Sequence, residues 1–346
     1  MKAQQLWFTN PYQIEIREQS LPTLQAEQIL IKNDCSAISA GTEMLVYRGQ
    51  LPADLTLDAT LSALQNAPTY PLQYGYASVG RVAQTGTAVA SHWQDKRVFA
   101  FQPHASHFIT TPEQVIALPD DMTPEAAVFL ANMETAVNLL LDGNPALGER
   151  VLILGQGVVG LLVSSLLAQF PLAALYGMDG LVERRSRALR MGVQQVYDPG
   201  SATQIAVLKQ ALQLPSPQLA TPGTGVDLIY ELSGVPDALN LAIDLCGYSG
   251  RIVIGSWYGN KAGTLHLGGV AHRNRIKLIS SQVSSIAPEL TGRWDKARRF
   301  HTSWDMLRRV QPQSLISHRL PLTQANSIYQ QLDQTPEKVL QAIFIY

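Results

Sequence analysis

At 346 residues the chain is roughly twice the ~150 residues of an ordinary domain, so two domains are expected. Twenty-six Lys and Arg against 27 Asp and Glu give a net charge of −1, which excludes the positive field needed to hold a nucleic-acid backbone or an anionic membrane. Charged residues are only 15% and hydrophobic residues 46%, which excludes extensive disorder and predicts a large buried core. Cys35 and Cys246 are the only cysteines, too few for a disulfide framework or a cysteine-rich zinc lobe, and a reducing compartment is expected. No apolar leader follows Met1, and the apolar stretch 151–168 is broken by Gly155, Gln156, Gly157 and Gly160. A cytoplasmic chain with neither membrane nor nucleic acid as partner is therefore expected.

In chain order, the first hundred residues read as β-rich, with apolar or alternating runs at Gln13–Ile16, Ile29–Ile31, Ser78–Ala83 and Arg97–Phe101 among turn-forming Pro and Gly residues. The long stretch Gln50–Pro71, with Leu51, Leu55, Leu57, Leu61, Leu64 and Tyr70, reads either as a lid or as a packing insert. From Pro124 to Leu141 the apolar period becomes helical. Strands at Val151–Leu154, Ala174–Met178, Val226–Leu232, Arg251–Ile254 and Lys277–Ser280 then alternate with helical stretches around Gly160–Gln169, Ala188 and Ala238. That alternation predicts a doubly wound parallel sheet covered on both faces. A Pro- and Gly-rich segment, Leu212–Gly225, reads as a loop within this half. A basic helix follows at Trp294–Val310, its charges expected in solvent or, alternatively, clamping a carboxylate-bearing planar substrate, and the run Ala342–Ile345 predicts a late strand that must join a sheet elsewhere.

The strand at Val151–Leu154 leads straight into Gly155-Gln156-Gly157-Val158-Val159-Gly160 and an apolar helix. This is the dinucleotide fingerprint in the setting it requires: a tight turn at the first Gly, close approach of the pyrophosphate at the second, and close helix packing at the third. The next strand ends at Asp179, 19 residues after Gly160, close to the ~20-residue spacing of an acid that binds the ribose hydroxyls. A carboxylate there favours NAD. Arg184 and Arg185 lie near enough to contact a 2′-phosphate, so NADP stays possible. As a purely structural residue, Asp179 would instead cap the helix that follows.

Several further phrases bear a resemblance: Gly41-Thr42-Glu43 with Tyr47-Arg48-Gly49, Tyr74-Gly75-Tyr76-Ala77-Ser78-Val79-Gly80, Asp95-Lys96-Arg97-Val98, and Gly250-Arg251-Ile252-Val253-Ile254-Gly255. Over essentially the whole chain their order resembles the medium-chain dehydrogenase/reductase superfamily. The resemblance implies an α/β architecture: a GroES-like β-rich domain over 1–122, joined by the returning residues 286–346, and a Rossmann domain over 123–285. It also implies a catalytic cleft between the two domains and a homodimer formed through the edge of the Rossmann sheet, near 256–282. The places that hold catalytic zinc in the family's alcohol dehydrogenases fall on Ala40, Tyr76 and Ala131, which are poor ligands, so no metal is expected. The family's relay histidine falls on Leu45. The phrase Ser36–Glu43 resembles a zinc-free branch that includes bacteriochlorophyllide hydroxyethyl dehydrogenase, which implies hydride exchange at a carbonyl or carbinol carbon on a conjugated, ring-bearing substrate.

Without a metal, the developing oxyanion must be met by fixed hydrogen-bond donors. Thr42 and Tyr76 are the candidates, with His104 as an acid or base; each also has a plain structural alternative, as a turn, packing or core residue. In His104-Ala105-Ser106-His107, residues three apart on a strand face opposite sides, which argues against a shared metal. For the cofactor the candidates are Thr135, Gly155, Gly157, Val158, Val159, Gly160, Asp179, Arg184 and Gly255, while Glu134 reads equally as catalytic or as surface. The leading expectation is a zinc-independent NAD(P)-dependent oxidoreductase. A quinone or enone reductase and a non-catalytic dinucleotide-binding redox sensor are the alternatives.

Overall fold

The computed structural model describes every residue except 53, 55, 57–61, 66 and 215–219. It comprises two compact units, Met1–Ala131 with Leu307–Tyr346, and Asn132–Met306. Both transitions fall later than the expected 122 and 285. Each lies inside a helix, Leu130–Gly143 and Lys296–Val310, where no Pro or Gly marks a break in the sequence.

The chain opens with β1 (Lys2–Asn10), β2 (Gln13–Ser20), β3 (Ile29–Ala37), α1 (Ala40–Tyr47), β4 (Ser78–Thr85), β5 (Arg97–Ala100), β6 (His107–Thr110), β7 (Val115–Ala117) and α2 (Pro124–Ala127). Then come α3 (Leu130–Gly143), β8 (Arg150–Leu154), α4 (Val158–Leu167), β9 (Ala174–Met178), α5 (Val182–Arg190), β10 (Gln195–Tyr197) and α6 (Ala202–Ala211). After these follow β11 (Val226–Glu231), α7 (Ala238–Leu245), β12 (Cys246–Ile254), β13 (Lys277–Ser280) and α8 (Lys296–Val310). The chain closes with β14 (Ile316–Pro321), α9 (Ala325–Gln334) and β15 (Gln341–Ile345).

In the first unit β1 and β2 form a hairpin, and a mixed sheet runs in the order β14-β15-β3-β4-β5-β7 with β6 also on β3. The late apolar strand finds its sheet here: β15 lies antiparallel to β3, pairing Ile343 with Ala37 and Phe344 with Ser36. Leu6, Phe8, Met44, Val46, Ile328, Tyr329 and Phe344 bury one face. Of the long Gln50–Pro71 stretch, Leu55, Leu57 and Leu61 lie outside the described residues. Leu64 is fully buried in this core, and Leu51 and Tyr70 pack against it, so the described part behaves as a packing insert.

The second unit holds an all-parallel sheet in the order β10-β9-β8-β11-β12-β13. Val151, Leu152 and Ile153 of β8, like Leu228, Ile229 and Tyr230 of β11, are fully buried, as strands covered on both faces must be. Strand order reverses between β8 and β11, and ligands of open α/β sheets bind at the carboxyl ends of strands beside such a reversal. The two units thus have GroES-like and Rossmann architectures. Among the described residues, no helix is long and apolar enough to cross a membrane.

One charge departs from expectation. Along α8, Arg299, Ser303, Trp304 and Leu307 are buried at helical spacing while Arg298, Arg308 and Arg309 are exposed, so the stretch is not uniformly solvated. The Arg299 guanidinium donates to Glu134 Oε1 at 2.7 and 3.1 Å, to Asn138 Oδ1 at 2.5 Å and to the Ser285 carbonyl at 2.9 Å. Asn138 and Ser281 in turn both donate to Asp142. A buried cation with its donors engaged in this way joins α3, α8 and the segment after β13.

Candidate functional site

In the second unit the nucleotide motif turns at the end of β8. Gly155 has a φ of +93°, and a side chain there would meet the Leu232 carbonyl at 2.6 Å. A Cβ at Gly160 would lie 2.0 Å from the Gly155 carbonyl, so the turn and the first turn of α4 close only with glycine. At Gly157, by contrast, a Cβ would meet nothing within 4 Å. Open space thus stands at the head of α4, where Gly157 is the N-cap without a side-chain cap bond and the first-turn N–H groups of Val158, Val159 and Gly160 lack intrahelical acceptors. Open space beside free helix-terminal N–H groups is the setting in which a pyrophosphate binds.

Asp179, at the end of β9, is 8% exposed. Its Oδ2 accepts from the Gln156 N–H and its Oδ1 from the Leu181 N–H, both at 2.8 Å. Two lone-pair positions remain for a ribose hydroxyl, since each carboxylate oxygen accepts twice. The cap of α5 is Leu181, so Asp179 is not that helix's cap. Arg184 reaches within 3.8 Å of the carboxylate, while Arg185 donates to the Asp179 carbonyl and pairs with Asp198.

Sequence reasoning missed Glu231, the final residue of β11. It is fully buried and accepts from the Ser233 N–H at 2.8 Å and from the Ser233 and Tyr258 hydroxyls. Ser256 receives the Gly234 N–H at 2.9 Å, so the loops after β11 and β12 are tied together at the carboxyl edge of the sheet. Gly255 lies there too, with Leu232 and Leu139 at 2.6 and 2.7 Å from any Cβ. Thr135 stands half-buried on α3 beside Glu134. Burial raises the Glu134 carboxyl above its ordinary range, with Arg299 opposing the shift.

In the first unit two layers of polar groups meet at the start of α1. The outer layer is half-buried: the Tyr76 hydroxyl bonds with the Ser39 hydroxyl and lies 3.3 Å from Thr42 Oγ1. In the inner layer Ser36, Glu43, His104 and Tyr329 are fully buried. Glu43 Oε1 accepts the Ser39 N–H at 2.7 Å, and its Oε2 meets His104 Nε2 at 3.0 Å and the Tyr329 hydroxyl. His104 Nδ1 bonds Ser36 Oγ at 2.7 Å, and Ser36 Oγ bonds the Tyr346 hydroxyl, also at 2.7 Å. Gly75 makes this stacking possible: with φ +123°, it sits so close that a Cβ would lie 3.0 Å from the His104 ring.

The structure brings Thr42 and Tyr76 together but corrects the place of His104. Its ring is 0% exposed and both nitrogens are engaged, so it does not face outward as an acid or base in its own right. Ser39, which the sequence offered only as part of a longer phrase, is the third hydroxyl of the outer layer. Burial pushes the Cys35 thiol up to about 12, and Sγ lies 3.7 Å from the Pro124 carbonyl. Among the described residues, no group of three or more His, Cys, Asp or Glu is placed to hold a metal ion.

Residues 158–302 match the family profile described as "Zinc-binding dehydrogenase". D-guloside 3-dehydrogenase of Escherichia coli K12 is 25% identical over 272 residues, 77% of this chain and 75% of that one. Among solved structures, an alcohol dehydrogenase of E. coli CFT073 complexed with NADH shares the fold at a TM-score of 0.77 and 17% identity, covering 100% and 99% of the two chains. A zinc-binding dehydrogenase of Sinorhizobium meliloti 1021 bound to NADP gives 0.76 and 16%, with complete coverage of both. Over 158–302 the chain is thus similar to zinc-binding dehydrogenases, and along its length it shares the fold of solved alcohol dehydrogenases.

Proposed function

We propose that the protein is a zinc-independent NAD(P)-dependent oxidoreductase that exchanges hydride with a secondary alcohol or its ketone on a conjugated, ring-bearing molecule, with NAD preferred. The observation that carries the reading is the open cradle at Gly157 beside the Asp179 carboxylate. The N–H groups at the head of α4 suit a pyrophosphate, and Asp179 suits a ribose diol while repelling a 2′-phosphate. A bound nicotinamide supplies or accepts the hydride. In reduction the substrate oxygen gains negative charge and takes up a proton; Tyr76 provides that proton and the Thr42 hydroxyl donates to the same oxygen.

The donor set does not fit a catalytic zinc. Ala40 and Ala131 have no ligating atom, and the Glu43 and His104 atoms that would ligate already bond to one another and to Ser36, Ser39 and Tyr329. The family match spans 158–302 and so includes none of the positions 40, 76 and 131. The ring-bearing substrate class rests on the Ser36–Glu43 phrase, and a homodimer paired through the open edge of β13 completes the reading.

The test joins metal analysis of the purified protein, calorimetric titration with NADH and NADPH, and turnover of acetophenone, a sugar ketone and a simple quinone. No stoichiometric zinc, chelator-resistant turnover, tighter NADH binding and a preference for the aryl ketone are expected. One zinc per chain overturns the metal-free mechanism, and tighter NADPH binding reverses the cofactor preference and points to Arg184. Turnover of the quinone alone moves the function to conjugate reduction.

A further inference from the structure

Ser39 is the N-cap of α1, yet its hydroxyl makes no cap bond. A serine there ordinarily accepts an N–H of the first turn. Here Glu43 reaches back and takes the Ser39 N–H at 2.7 Å, the carboxylate half of a capping arrangement, and the hydroxyl is released to bond Tyr76. Glu43 is held in that pose through its other oxygen by His104 and Tyr329, all three side chains being fully buried. The inner layer therefore fixes the backbone of Ser39, and the outer layer uses its side chain.

A phenol that gives up its proton develops charge on its oxygen, and a hydroxyl already aimed at that oxygen stabilises the charge without reorganisation. Thr42, 3.3 Å from the same oxygen, is the more distant of the two hydroxyls. We propose that Ser39 is a positioning residue that orients and polarises Tyr76 for proton transfer, donating its hydroxyl proton to the phenol oxygen while Glu43 holds its backbone. This rests on the reading of Tyr76 as the proton donor. In the reductive direction Tyr76 gives its proton to the carbonyl oxygen, while the carbonyl carbon would take its hydride from a bound reduced nicotinamide. The phenolate left behind accepts the Ser39 hydrogen bond until a proton from water restores it.

The experiment compares Ser39→Ala, Ser39→Thr and Tyr76→Phe in the full chain. Because the Ser39 hydroxyl caps nothing, the alanine variant keeps the start of α1. Tyrosinate absorbance against pH, with the Tyr76→Phe curve subtracted, reads the Tyr76 phenol without any substrate. Ser39→Ala is expected to raise its midpoint by about 1 to 2 pH units, the effect of losing one hydrogen bond to a charged oxygen. Acetophenone reduction should fall about 10- to 100-fold in kcat with NADH affinity unchanged. Ser39→Thr, which keeps the hydroxyl, should restore both. An unchanged Tyr76 midpoint in Ser39→Ala overturns the inference, whatever happens to turnover. Full activity of Tyr76→Phe overturns instead the reading of Tyr76 as proton donor.

Discussion

Thr42 and Tyr76 share a contact of 3.3 Å, and two donors aimed at one developing charge do not contribute independently. Thr42→Val and Tyr76→Phe are each expected to lower kcat by about 10²- to 10³-fold, with little change in NADH affinity, because the proposed dinucleotide site is at Gly157 and Asp179. The double variant should be little slower than the slower single variant. Steady-state kinetics with the chemical step shown to be limiting checks this; fully additive losses would assign the two hydroxyls to different oxygens. Both residues were named in the sequence through the family resemblance, and their 3.3 Å contact is what the structure adds. Ser39 was not singled out, since a serine before a helix reads as an ordinary cap, and only the structure shows that its hydroxyl makes no cap bond and meets Tyr76 instead. The burial of His104 was equally hidden, as it depends on Tyr329 of α9, Phe344 of β15 and Tyr346 just beyond it, more than 200 residues later.

At the scale of elements, apolar period located α8 but could not separate Arg298 from Arg299, adjacent and identical in type. The discriminating signal was there: Arg299 shares the helical stripe of Trp304 and Leu307, and an arginine on the apolar stripe of a helix needs a buried partner. That partner is Glu134 at 2.7 Å, and removing one member of a buried pair typically costs about 3–5 kcal/mol. Arg299→Met should lose about that much stability at neutral pH. Burial already raises the Glu134 carboxyl and Arg299 counters it, so without the arginine the carboxyl rises further. A carboxyl raised on folding contributes stability that is present below its unfolded value and lost as pH climbs through the folded value. The variant's deficit should therefore be small near about pH 5 and grow toward about pH 8. Adding Glu134→Gln should recover most of it. Urea unfolding midpoints at the two pH values measure the effect, and a deficit independent of pH would show that lost packing, not the stranded carboxylate, dominates.

At the scale of the whole molecule, the parallel half was the more legible because its strands are continuous apolar runs between helices. The β-rich half pairs segments that no local pattern connects, as when β15 joins β3 across about 300 residues, and local patterning does not encode such register. Local patterning does not mark an edge strand either, and only the resemblance put the edge of the Rossmann sheet near 256–282. The structure places β13 at the end of the six-stranded order, with Lys277, Leu278 and Ser280 exposed and Leu278 at 40%. An apolar strand edge with unpaired backbone N–H and C=O groups is a template for pairing and calls for a cover. In the proposed homodimer a second copy would meet this need by laying its own β13 antiparallel to this one across a two-fold axis. Light scattering should then report a mass of two chains for the native protein. Leu278→Lys, which sets like charges facing each other across that axis, should report one chain, with unchanged circular dichroism and NADH affinity. A native protein that stays monomeric at the highest soluble concentration, or a lysine variant that still dimerises, would move the interface away from this edge.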